Sequence, residues 1–130
     1  MIRTASAAEV VVELAPHPRS GQVAREAVEA LAGQLHPETL AKVRLLVTEM
    51  VVAALAPAQD HPLCLTVRVT DGTVRAELRP AAPGADLAVT PRPRSWNLFL
   101  VNRIADRWEA GDALMWFEVD PRRFEPRRRG

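Results

Sequence analysis

Lys42-Val-Arg-Leu-Leu-Val-Thr-Glu-Met-Val-Val-Ala-Ala-Leu55 is the stretch on which the fold turns. Leu40, Val43, Val47, Met50, Val51 and Ala54 recur at the three-and-four spacing of one helical face. Apolar residues continue nearly all the way round, which predicts a helix buried in a core rather than laid on a surface. Glu49 falls outside the main face and shares a strip with Leu45, Leu46, Val52 and Ala53. A carboxylate with such neighbours needs a reason, because an unpaired buried charge is costly. It is either a glutamate at a cavity edge or paired with an arginine, or else a general base or ligand group on the wall of a pocket.

Upstream, Glu9-Val-Val-Val-Glu-Leu14 is a β-branched run that predicts a first strand, ended by Pro16 and Pro18. Ser20 is placed to cap a helix whose stripe is Ala24, Ala27, Val28, Leu31 and Leu35, with Gly33 near its end. His36-Pro37-Glu38 opens the central helix, with proline at a first helical position and the acid at the positive end of the dipole. Pro57 closes it.

Downstream the period changes to two. Leu63, Leu65, Val67 and Val69 point one way, and Cys64, Thr66, Arg68 and Thr70 the other. Asp71-Gly72 is a two-residue hairpin signal, and the return strand sets Val74, Ala76 and Leu78 inward against Arg75, Glu77 and Arg79. One polar face implies a sheet covered on a single side. Pro80, Pro83, Gly84, Pro91 and Pro93 make the segment from Pro80 to Arg94 an irregular loop. Ser95 is placed to cap another helix, with Leu98, Val101, Ile104, Ala105 and Trp108 as its stripe. Gly111-Asp112 then turns the chain into a last strand, Ala113 to Val119. The expected fold is an α/β (α+β) two-layer sandwich: a mixed, mostly antiparallel sheet with helices on one face. Its expected core includes Leu31, Val43, Val47, Met50, Val67, Leu78, Val101 and Trp116.

Composition bounds the rest. With 130 residues, 48% of them hydrophobic, the chain suffices for one domain and one core. The expected division is a flexible N-terminus over 1–8, a folded domain over 9–120 and an arginine-rich flexible tail over 121–130. No apolar run is long enough to span a membrane. Met1 to Ala8 lacks the basic start and apolar segment of a signal or transit peptide, so the expected location is cytoplasmic. The lone Cys64 excludes an internal disulfide and a cysteine-cluster metal site. His17, His36 and His61 are scattered and lie at or near prolines, which favours loop roles over metal ligation. The net charge is +1, but Arg122, Arg123, Arg127, Arg128 and Arg129 face only Glu125 at the end of the chain. That tail is a solvated end or a nucleic-acid arm; no basic stripe interleaved with aromatics supports the second.

Taken together, these segments resemble the small anti-sigma-factor serine kinases of the histidine-kinase-like (GHKL, Bergerat-fold) ATPase family, over about Val10 to Val119. Ala15-Pro16 with Arg25 is similar to the family's opening "LP…AR", and Thr48-Glu-Met-Val-Val-Ala-Ala-Leu55 to its "sELvtNAv" box. Val74-Arg-Ala-Glu-Leu-Arg79 resembles the strand leading into its "DxGxG" box. Asn97 to Trp108 resembles the "GLxlVxxlAdxW" helix, and Gly111 with Trp116 the closing strand.

The resemblance implies that Glu49 is the residue that orients or deprotonates the attacking group. It also implies losses. Ala53 stands where the family's asparagine holds Mg²⁺, and a methyl cannot ligate a cation that demands oxygen. Pro80 stands where an aspartate accepts the adenine amino group, and Ala82 where a glycine follows it. Ser95-Trp96-Asn97 replaces the "GxG" that lets backbone approach phosphate. Pro57 replaces the usual histidine of the first box. The expectation is therefore a pseudo-kinase with no cofactor, acting on a protein partner such as a sigma factor or an anti-sigma-antagonist domain, and associating with a second copy. The alternative is an active serine/threonine kinase using ATP and magnesium, its site completed by Ser95, Asn97 or Asp86. A nucleic-acid accessory role for the tail comes last.

Overall fold

The computed structural model of the chain describes residues 8–55, 61–81, 98–111 and 113–121. Five strands form one sheet: β1 (Glu9–Leu14), β2 (Leu63–Thr70), β3 (Thr73–Pro80), β4 (Arg107–Ala110) and β5 (Met115–Val119). Their order is β1-β2-β3-β5-β4, and every described pairing is antiparallel, so no parallel pair makes this sheet mixed. Three α-helices accompany it: α1 (Ser20–Glu29), α2 (Pro37–Leu55) and α3 (Leu98–Ile104). A short 3₁₀ turn, Ala32–Gln34, joins the first two. The expected two-layer α/β sandwich is present.

Alternation along the strands builds the two faces. Val10 and Leu14, Leu63 to Val69 at every second residue, Val74, Ala76, Leu78, Met115, Phe117 and Val119 are buried against the helices. α2 lies across β3 and β5 and touches α3, while α1 packs on α2 and β1. Between the layers, Val43, Leu46, Val47, Met50, Val51 and Ala54 of α2 meet that apolar face without solvent contact. Five of these are on the face that the three-and-four spacing picks out; Leu46, expected on the strip with Glu49, is buried with them, and Leu40 is only partly buried.

The β2–β3 hairpin is closed by Asp71 and Gly72, both with positive φ (53° and 84°). That backbone is the hairpin turn whose twist matches its flanking strands. At the start of α2, the His36 Nδ1 accepts the Glu38 N–H at 3.2 Å, so this histidine caps a helix. In the turn before α1, the His17 Nδ1 accepts the Arg19 N–H at 3.0 Å.

Four expectations need correction. Ser20 is not a cap: it is the first residue of α1, buried, and its hydroxyl donates to the Ala15 carbonyl. α2 is not closed in all round, since Leu45 and Val52 remain 41% and 54% exposed. Beside Val52, α1 presents Gly21, which has no side chain to cover it. The third helix stops at Ile104, and Arg107–Ala110 is a strand on β5. Trp108 therefore belongs to a hairpin, not to a helical stripe. Finally, Trp116 faces out, because Met115, Phe117 and Val119 take the inner positions of β5. The 1–7 and 122–130 ends lie outside the described residues.

Candidate functional site

Glu49 and Ala53 lie one turn apart on α2. Glu49 is half-buried, between the closed side of the helix (Leu46, Ala53) and the open side (Leu45, Val52). Its carboxylate makes no hydrogen bond or ion pair among the described residues, so it is not the partner of an arginine there. Ala53 is 7% exposed, a methyl within the core edge. Thr48, beside Glu49, spends its hydroxyl on the Arg44 carbonyl at 2.8 Å, and Arg44 pairs with Glu29 of α1.

Pro80 ends β3. It sits opposite Leu63 of β2, beyond Leu78, the last β3 residue paired with β5. A proline fits there because, among the described residues, no neighbouring strand on that side requires its missing N–H. The next residue, Ala81, donates its N–H to the Pro62 carbonyl at 2.9 Å. α2 overlies β3, so Glu49, Ala53 and Pro80 belong to two elements in contact. Ala82, Asp86, Ser95, Trp96 and Asn97, like Pro57, lie outside the described residues.

Neither Ala53 nor Pro80 offers an oxygen side chain to a hard cation. Among the described residues no group of three His, Cys, Asp or Glu side chains is placed to hold a metal ion. No described helix is long and apolar enough to cross a membrane.

Among the described residues, the richest polar array lies elsewhere, on the face of the sheet away from the described helices. Arg75 on β3 bonds Glu77 at 2.7 Å and Glu118 of β5 at 2.9 Å, and its guanidinium stacks on Trp116, 4.2 Å from the ring centroid. Arg79 adds a second bond to Glu77 at 2.6 Å. Arg107 of β4 bridges Glu118 and Asp120. Trp116 Nε1 donates to Glu109 at 3.3 Å. The Glu118 carboxyl is held below its ordinary range, first by its bond from Arg107 and then by Arg75, against some desolvation. Partial burial pushes Glu77 up, but Arg75 and Arg79 outweigh it and leave its pKa lowered. Burial likewise opposes the charge on Arg75, and its two carboxylate partners still raise it; Asp120 and Glu118 raise Arg107.

Sequence reading missed this array because half of it depends on β4, which period alone does not reveal. The signal available was Gly111-Asp112 between Arg107-Trp-Glu-Ala110 and Met115-Trp-Phe-Glu-Val119, two alternating runs about a turn.

Lowered carboxyl pKa values fix the sign of a pH dependence. These pairs stabilise the folded state above the unfolded carboxyl range, and that stability is lost as pH falls through the folded values. Thermal melting should hold level near neutrality and fall in acid. Pairs this exposed are screened by solvent, so the array should contribute only modestly to stability. Glu118→Gln should lower Tm near neutrality and flatten the acid slope; an unchanged slope would show that the array carries no net stability.

No protein-family model matches the chain, and no curated protein matches its sequence.

Proposed function

We propose that the chain is a regulatory protein of the anti-sigma-factor serine kinase type, within the histidine-kinase-like ATPase family, whose nucleotide site has decayed. It acts in the cytoplasm by holding a protein partner, such as a sigma factor or an anti-sigma-antagonist domain. The supporting observation is Ala53, a nearly buried methyl one turn from Glu49, at the position where the resemblance calls for a magnesium ligand. Pro80 adds to it, because a residue without an acceptor side chain ends the strand that would read adenine. Phosphoryl transfer depends on positioning and neutralising the phosphates, and a retained glutamate does not replace either.

A second reading is an active serine/threonine kinase with an atypical site for ATP and magnesium. The half-buried Glu49, with no ion pair or hydrogen bond among the described residues, favours it.

Calorimetry with ATP and Mg²⁺ separates the two. The wild type should show no saturable heat. Losing one reading contact costs about 1–3 kcal/mol, or roughly one to two decades of affinity. Because several are lost together, Ala53→Asn with Pro80→Asp should not restore binding either. Clear saturation by the wild type would overturn the pseudo-kinase reading and put the kinase first. A melting curve of the double variant checks that the amide introduced at a nearly closed position has not unfolded it.

For the partner surface, the edge of β1 is the natural place, as a valine-rich strand with one side unpaired among the described residues. A second copy of the chain and a different protein are the two candidates for it.

A further inference from the structure

We propose that the open edge of β1 takes an extended segment of a different protein, carrying basic residues four positions apart, and is built against pairing with a second copy. The expectation of a protein partner rests on the reading above; the chemistry of the segment rests on the edge itself.

The phase of the ladder shows which groups are on offer. Val69 donates its N–H to the Ala8 carbonyl at 2.9 Å, in the register that pairs Val10 with Val67 and Val12 with Leu65. In an antiparallel ladder the bonded positions alternate. Ala8, Val10, Val12 and Leu14 thus face β2, and Glu9, Val11 and Glu13 aim their N–H and C=O groups at the open side. No strand occupies that side among the described residues. The six residues of β1 contain no proline and no lysine, so the charges that guard its edge are those of Glu9 and Glu13. The opposite edge strand, β4, is only four residues long.

The side chains at the same three positions lie on the face without helices, so they select the occupant. Glu13 is exposed, faces the uncharged Cys64 across the ladder, and makes no ion pair or hydrogen bond among the described residues. Glu9 is held by Arg68 at 3.2 and 2.8 Å, but both bonds end on Oε2, which leaves Oε1 for a neighbour on the open side. The edge therefore reads acid, apolar, acid at alternate residues.

A second copy fits this badly. Antiparallel pairing centred on Val11 gives the fullest overlap, and it sets Glu9 of each copy directly opposite the other's Glu13. Like charges in directly opposed positions destabilise a pair of strands. Moving the centre by one residue either way sets a carboxylate against Val11 and shortens the overlap. A segment with arginine or lysine opposite Glu9 and Glu13, and an apolar residue opposite Val11, turns both repulsions into attractions and completes the ladder.

The test uses the full chain and two labelled peptides. One is acetyl-Thr-Arg-Thr-Val-Thr-Arg-Thr-amide; in the other, glutamates replace the arginines. The arginine peptide should bind tighter by about tenfold or more, and should slow amide exchange at Val11 and Glu13 while leaving Val10 and Val12 unchanged. Glu9→Lys with Glu13→Lys should reverse the preference. Val11→Pro removes an N–H that faces the open side, so it should keep the fold and lose the peptide. Absent binding, equal binding of the two peptides, or a preference that survives both lysines would overturn the proposal. So would a doubled mass with Val11 protected in the absence of peptide, which would place a second copy on the edge. Nucleotide binding in the calorimeter would not move any of these results, and failure here would leave the nucleotide result standing.

Discussion

Phe117→Ala should destabilise the protein by about 3–5 kcal/mol, the transfer energy of a large aromatic plus the cavity left behind. Phe117 is fully buried and leads the closed side chains of the core in size. It sits on β5 between Ala76 of β3 and Trp108 of β4, under the helix layer. The small Ala76 opposite it means that the ring fills volume which its cross-strand neighbour cannot reclaim. Because domains of this size have only about 5–15 kcal/mol in total, the variant should be partly unfolded near its working temperature. Phe117→Leu should cost less than about 1.5 kcal/mol, since it nearly conserves volume. Urea denaturation followed by tryptophan fluorescence measures both. A cost below about 1 kcal/mol for the alanine variant would mean that the layers close over the gap, against the dense packing of a folded interior.

The second large effect belongs to the hairpin turn. Gly72→Val should cost about 2–3 kcal/mol, from placing a branched side chain in the left-handed region and from crowding. Gly72 has φ of 84°, and a Cβ there would lie 3.0 Å from the Cβ of Pro121. The two parts are separable. Pro121→Gly should recover the crowding and leave the backbone strain, so the double variant should stand between wild type and Gly72→Val. Strict additivity of the two substitutions would show that the ring is not in the way.

The turn and its strands are where the sequence is most readable, because two independent signals agree: period-two alternation on both sides and Asp71-Gly72 between them. The buried face of α2 is equally plain from spacing. Its exposed strip is not, because whether Leu45 and Val52 are covered depends on the angle at which α1 crosses, and nothing in the residues of α2 encodes that. β4 escaped for a different reason. Trp108 continues the helical spacing of Ile104 and also alternates with Arg107 and Glu109, and four residues are too few to separate the periods. Trp116 shows the limit of hydrophobicity as a guide, since its ring finds cover under Arg75 and its N–H a partner in Glu109. At the candidate site, spacing singles out Glu49, and only the family resemblance points to Ala53 and Pro80; the closeness of α2 to β3 comes from the tertiary packing.

The charged rows on the open side of the sheet also bear on how the strands find their places. Inward residues repeat every second position, so a strand displaced by two still buries an apolar set, and the core alone barely objects. The outer charges do object. Sliding β5 by two in one direction sets Glu118 against Glu77 instead of Arg75, and the same slide against β4 sets it against Glu109 instead of Arg107. A comparable slip of β1 parts Glu9 from Arg68. Ionic contacts that add little to the finished structure thus act as a proofreading code during assembly, and their removal should produce mispaired, aggregation-prone chains out of proportion to the small fall in melting point.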